Sequence, residues 1–132
     1  MQLISNLALF FIAMSLAIII IPIGIIVAGI YLMIKFDLEL LYKYFSRLFY
    51  YTAFSIDKIG NYACAVLFNL TLLIKNEKAY RFGKEGETIS YALGKNYMSK
   101  NLNWLGRMLC RVLDLFEKDH VVKTIQREGY MQ

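Results

Sequence analysis

The feature that most limits this chain is an N-terminal stretch from which charge is missing. Residues 1–34 hold no Asp, Glu, Lys, Arg or His, and Leu7–Ile34 is almost wholly apolar. As a helix rising ~1.5 Å per residue, 28 residues reach ~42 Å, against a bilayer hydrocarbon core of ~30 Å. Helix is the form such a run must take in lipid, because backbone amides there have no water to bond. A cleaved signal peptide would carry a basic start and an apolar run of roughly 7–15 residues, and neither is present. A hairpin turning at Pro22 or Gly24 would leave arms too short to cross twice. Residues 1–35 are therefore expected to form one transmembrane anchor, kinked at Pro22, which removes a backbone donor and crowds the preceding turn.

Charge places the rest. All 15 Lys and Arg and all 10 Asp and Glu lie in 35–132, so the whole +5 follows the apolar stretch. Hydrophobic residues make up 58% of the 132 and mean hydropathy is +0.47, above the roughly 45–50% of a soluble domain. Lys35, Lys43, Arg47 and Lys58 come soon after the span, so the positive-inside rule puts the N-terminus outside and the C-terminal part in the cytoplasm. The same rule accounts for the basic bias. The charges are interspersed with acids rather than gathered in a patch, so nucleic acid is not an expected partner, while anionic lipid is. Cys64 and Cys110 stand alone in apolar runs and read as small buried hydrophobes, with no metal spacing and no cofactor motif.

Beyond the anchor the chain reads as all-α. Over residues 36–59 the positions Leu41, Tyr44, Phe45, Leu48, Phe49, Thr52, Ala53 and Ile56 form one helical stripe. Eight aromatics lie between Phe36 and Phe54. A basic, aromatic amphipathic helix directly after a span is expected at the interface, with Lys35, Tyr42, Lys43, Arg47, Tyr50 and Tyr51 meeting headgroups. Residues 60–132 are expected to form a small helical cytoplasmic domain. Gly60 and Asn61 punctuate its start, Ala63–Ile74 is an apolar run too short to span, and Lys75–Gly86 is a polar loop. Thr88 is placed to cap a helix ending near Gly94 and Asn96, with Glu87 by its positive end. Leu102, Leu105, Leu109, Val112, Leu113 and Phe116 mark an amphipathic helix with Arg107, Arg111, Asp114 and Lys118 outward. Asp119 is placed to cap a last helix ending at Gly129.

The element Glu87-Thr88-Ile89-Ser90-x-x-Leu93-Gly94-Lys95, followed by Leu109, Cys110, Leu113, Asp114, His120 and Ile125, resembles a family of small proteins of tailed bacteriophages and prophages. The resemblance spans Asn61–Gln126, about half the chain. Gly86 stands where the family usually has Asp, and Phe116-Glu117 where an Ile-Asp pair is common. The family has no assigned activity, so the resemblance implies a viral setting at the bacterial inner membrane or a virion membrane, and no enzyme.

Of the motif residues Glu87, Thr88, Ser90, Gly94, Lys95 and His120, a lone His with an acidic neighbour is the one hint of a base for a hydroxyl nucleophile. No nucleophile elbow, zinc pair or phosphate loop accompanies it. The leading expectation is a non-enzymatic membrane protein that assembles or docks, with the bilayer and either a second copy or another protein as partners. A holin-like lysis protein and a membrane-tethered enzyme are the alternatives.

Overall fold

The computed structural model describes residues 2–129. Among them every regular element is helical: α1 Gln2–Ile34, α2 Leu38–Ala63, α3 Ala65–Thr71, α4 Ile89–Met98, α5 Trp104–Phe116 and α6 His120–Gly129. The one departure is a single antiparallel bridge between Leu73 and Leu102. The chain divides into two compact units, Met1–Phe49 and Tyr50–Gln132, and the division falls inside α2.

In the first unit, α1 runs 33 residues unbroken through Pro22 and is long and apolar enough to cross a membrane. None of its most apolar stretch is buried against protein. The serine inside its apolar run is satisfied internally, the Ser15 hydroxyl donating to the Phe11 carbonyl at 2.8 Å. That keeps a polar group compatible with an apolar surround. Helix stops at Phe36, whose φ of 52° is left-handed, a conformation that costs an L-residue roughly 1–2 kcal/mol. Asp37 starts α2, its carboxylate accepting the Leu40 amide at 2.8 Å, and α2 brings Phe45 within reach of Gly29.

The second unit has the core. Leu72, Leu73, Ala79, Phe82, Ala92, Leu93, Leu102, Cys110 and Val121 are buried together, with Phe68, Ile89, Leu105, Leu109 and Leu113 packed around them. α4, α5 and α6 pack on one another. Gly94 lets α4 approach α6, since a Cβ there would sit 2.3 Å from the Val121 carbonyl oxygen. Gly106 does the same for α5 beside the Leu72 carbonyl oxygen, 2.8 Å from the position of an added Cβ.

Several expectations are corrected. Gly60 and Asn61 do not end α2, which continues to Ala63. Asn61 is fully buried there and spends its amide on the loop instead. α4 passes through Gly94 and Asn96 to Met98, because both are packing positions and not caps. On α5 the buried line is Gly106, Cys110 and half-buried Leu113, while Phe116 is 87% exposed and Val112 is also exposed. The apolar arc of α5 is wider than the side the core uses. The carboxylate meeting the start of α6 is that of Asp114, which accepts the His120 amide at 3.1 Å. Asp119 instead makes the turn with a left-handed φ of 59°. Cys110 is buried as expected, but Cys64 is only half-buried, and both are free thiols.

The polar stretch 75–86 is a loop, as expected, and it is held by asparagines. Asn69 accepts the Phe82 amide at 2.9 Å and donates to its carbonyl at 3.2 Å. Asn96 treats Tyr80 the same way, at 2.8 and 2.6 Å. Asn61 accepts from the Gly83 amide and donates to the Glu87 carbonyl. Each side-chain amide thus does for the loop what a neighbouring strand would do, and Ala79 and Phe82 are pinned into the core.

Candidate functional site

The largest concentration of chemistry in the second unit is a groove of about 560 Å3 between the C-terminal half of α2, the start of α4 and α6. Its apolar wall includes Tyr50, Phe54, Ile56, Ile89 and Leu113, and its polar wall Asp57, Thr88, Ser90, His120, Arg127 and Glu128. Two hydroxyl–carboxylate pairs organise that wall. Thr88 caps α4, its Oγ1 accepting the Tyr91 amide at 3.0 Å. The same hydroxyl donates to buried Glu128, and the Thr88 amide reaches the other Glu128 oxygen at 3.3 Å. Ser90 donates to Asp57 at 2.8 Å, tying α4 to α2.

Burial pushes the Glu128 carboxyl above the usual carboxylate range; the two Thr88 bonds and Lys58 oppose the shift, and Asp57 reinforces it. At Glu117, which ends α5 just before α6, the electrostatics reverse. Glu117 accepts from His120 Nδ1 at 2.9 Å and from Arg127 at 2.7 Å, with Lys123 at 3.6 Å. The His120 bond first, then that of Arg127, holds the Glu117 carboxyl down at about 2.

The chain matches no family model, no curated protein and no solved structure.

A hydroxyl nucleophile needs a base near neutrality to take its proton. Here both hydroxyl protons are directed at carboxylates, and the His120 imidazole is turned to Glu117. Among the described residues no hydrogen bond joins His120 to Thr88 or Ser90. The arrangement fastens three helices together and leaves an apolar trough beside the fastening.

The motif residues are thus brought to one region with different tasks. Thr88, Ser90 and His120 line the groove. Glu87 lies buried outside its lining, one oxygen accepting the Tyr80 hydroxyl at 2.5 Å and the other without a partner. Gly94 is a helix contact, and Lys95 lies 5.2 Å over the Tyr91 ring. Of the interface set, Lys35 stands 4.8 Å over the Tyr31 ring and Lys43 pairs with Glu39 at 2.5 Å. Tyr42, Arg47, Tyr50 and Tyr51 are exposed, and Tyr50 stacks on Phe54.

Asp57, Glu117, Arg127 and Glu128 belong to this region without any local sequence pattern that marks them. Asp57 lies on a helix face otherwise given to the aromatic stripe. Glu128 follows Gln126 and Arg127 in a polar stretch, where an acid ordinarily meets solvent. Among the described residues, no three His, Cys, Asp or Glu side chains are placed to hold a metal ion.

Proposed function

We propose that the chain is a small phage-type integral membrane protein that works without catalysis, assembling or docking at the bacterial inner membrane through its helical C-terminal unit. The observation that carries the reading is α1: 33 residues without a charge, with none of its most apolar stretch covered by protein. Left in water, a face of that size has no stabilising contact, whereas in hydrocarbon every backbone group is bonded within the helix. The basic residues after the span support an outside N-terminus and a cytoplasmic C-terminal unit. The resemblance across Asn61–Gln126 supports the viral setting, with the roles of virion membrane component, DNA-entry factor or envelope modulator.

Induced expression in a bacterial host tests this directly. The chain is expected in the membrane pellet after alkaline extraction, with membrane potential unchanged. Half-buried Cys64 should react with a membrane-impermeant maleimide only after lysis. Recovery in the alkaline supernatant overturns the anchor. Rapid depolarisation on induction transfers the assignment to a holin-like lesion.

A further inference from the structure

The core covers only one side of α5. The opposite side carries Trp104, Met108, Val112, Leu115 and Phe116, at i, i+4, i+8, i+11 and i+12, which is one face of a helix. All five are exposed, Trp104 at 73%, Leu115 at 83% and Phe116 at 87%. The ridge is ~18 Å long at ~1.5 Å per residue. Its flank is net basic: Arg107 and Arg111 border it along the helix and Lys118 follows its end, against one acid on that side, Asp114, which is half-buried and bonded to the His120 amide. Such a strip of large apolar groups, aromatic at both ends and edged by arginines, is the pattern of a helix lying in a lipid interface.

A second feature lies at the Trp104 end. A cavity of about 420 Å3 is lined by Tyr97, Met98, Lys100, Leu102 and Arg107. Lys100 holds a left-handed φ of 58°. Arg107 donates its Nε to the Leu102 carbonyl at 3.2 Å, which fixes the guanidinium by one edge. Two cations over an apolar floor suit a phosphate with a hydrocarbon stem, as a phospholipid presents.

We propose that the outer face of α5 docks on an anionic bilayer surface, with Trp104, Met108, Leu115 and Phe116 entering the interface and Lys100 and Arg107 receiving a lipid phosphate. Charge complementarity selects the occupant: the ridge is edged by Arg107 and Arg111, and the cavity beside it by Lys100 and Arg107, so an anionic lipid surface matches both. The proposal rests on the anchored reading, because the tether supplies the high local concentration of lipid that makes a ~18 Å contact sufficient.

Trp104 is the chain's one tryptophan, so its emission reports this face alone. The full chain is reconstituted in phosphatidylcholine vesicles with and without phosphatidylglycerol. With phosphatidylglycerol, Trp104 emission is expected to shift to the blue and to be quenched several-fold more by brominated lipid than in its absence. The difference should fade at high salt and in a Lys100→Gln/Arg107→Gln/Arg111→Gln variant. Leu115→Ser/Phe116→Ser, both at exposed positions, should also reduce quenching.

Trp104 equally open to acrylamide in both lipids, in a chain that resists alkaline extraction, overturns the docking while leaving the anchor intact. Trp104 shielded equally in both lipids and more so at high protein-to-lipid ratio assigns the face to a second copy, which also overturns it. A chain washed from the vesicles at high pH overturns the anchored reading and this proposal with it.

Discussion

Asn96 is fully buried and makes three hydrogen bonds, two to Tyr80 and one back to the Ala92 carbonyl. Asn96→Ala leaves the Tyr80 amide and carbonyl without that partner, at about 1–3 kcal/mol for each group that stays dry. A loss of about 2 kcal/mol is expected in denaturation, with new proteolytic cleavage within residues 75–87. This clamp was not legible in the sequence, because its partner lies 16 residues away and asparagine carries no periodicity. The Thr88 cap was legible because both of its halves sit within one helical turn. Titration offers a second prediction. Glu128 has a folded pKa raised above the ordinary 4.5, so the folded state holds the proton more tightly than the unfolded chain. Its favourable contribution is complete below 4.5 and is lost as pH rises through the folded value. Glu117, held at about 2, behaves oppositely: its contribution is present above 4.5 and disappears as pH falls toward 2. Melting of Glu128→Gln across a pH series should lose the decline above pH 4.5 and keep the acid limb. Thiol chemistry gives a third. Burial pushes the Cys110 thiol up to about 11, so under native conditions alkylation should reach Cys64 well before Cys110.

Among the elements, the contact of α4 with α6 is the most sensitive to a single atom. Gly94→Ala drives a Cβ against the Val121 carbonyl, a rigid backbone group, and overpacking of this kind costs about 1–3 kcal/mol. The expected result is a lower melting temperature for Gly94→Ala and almost none for Gly24→Ala, whose added Cβ meets nothing within 4 Å. Element boundaries divide into those that sequence patterns report and those that packing decides. Apolar spacing announced α2 and α5, and capping announced the start of α4, whereas the carboxylate meeting the start of α6 is that of Asp114 and not the expected Asp119. Gly60, Asn61, Gly94 and Asn96 resemble stop signals locally, yet α2 and α4 run through them. Their contacts with distant residues hold the helix through them. On α5 the spacing showed a wide apolar arc, and only the fold revealed that the core takes one side of it.

At the scale of the whole molecule, the abrupt change at Lys35 from no charge to all of the charge is the most legible fact, and α1 bears out its helical half. The groove was least legible, since it draws on residues from Tyr50 to Glu128 that share no local pattern. Deleting the segment before Lys35 should release the remaining chain from the membrane pellet to the soluble or aggregated fraction, which sedimentation would show. The left-handed residue at Phe36 also bears on how the chain is made. Helix propagates cheaply once begun but starts at a steep entropic cost. A stop at Phe36, reinforced by the Asp37 cap, means that α1 and α2 must each nucleate on its own. The apolar helix can therefore be complete on the ribosome before the next helix has its first turn, and winding in one cannot run on into the other.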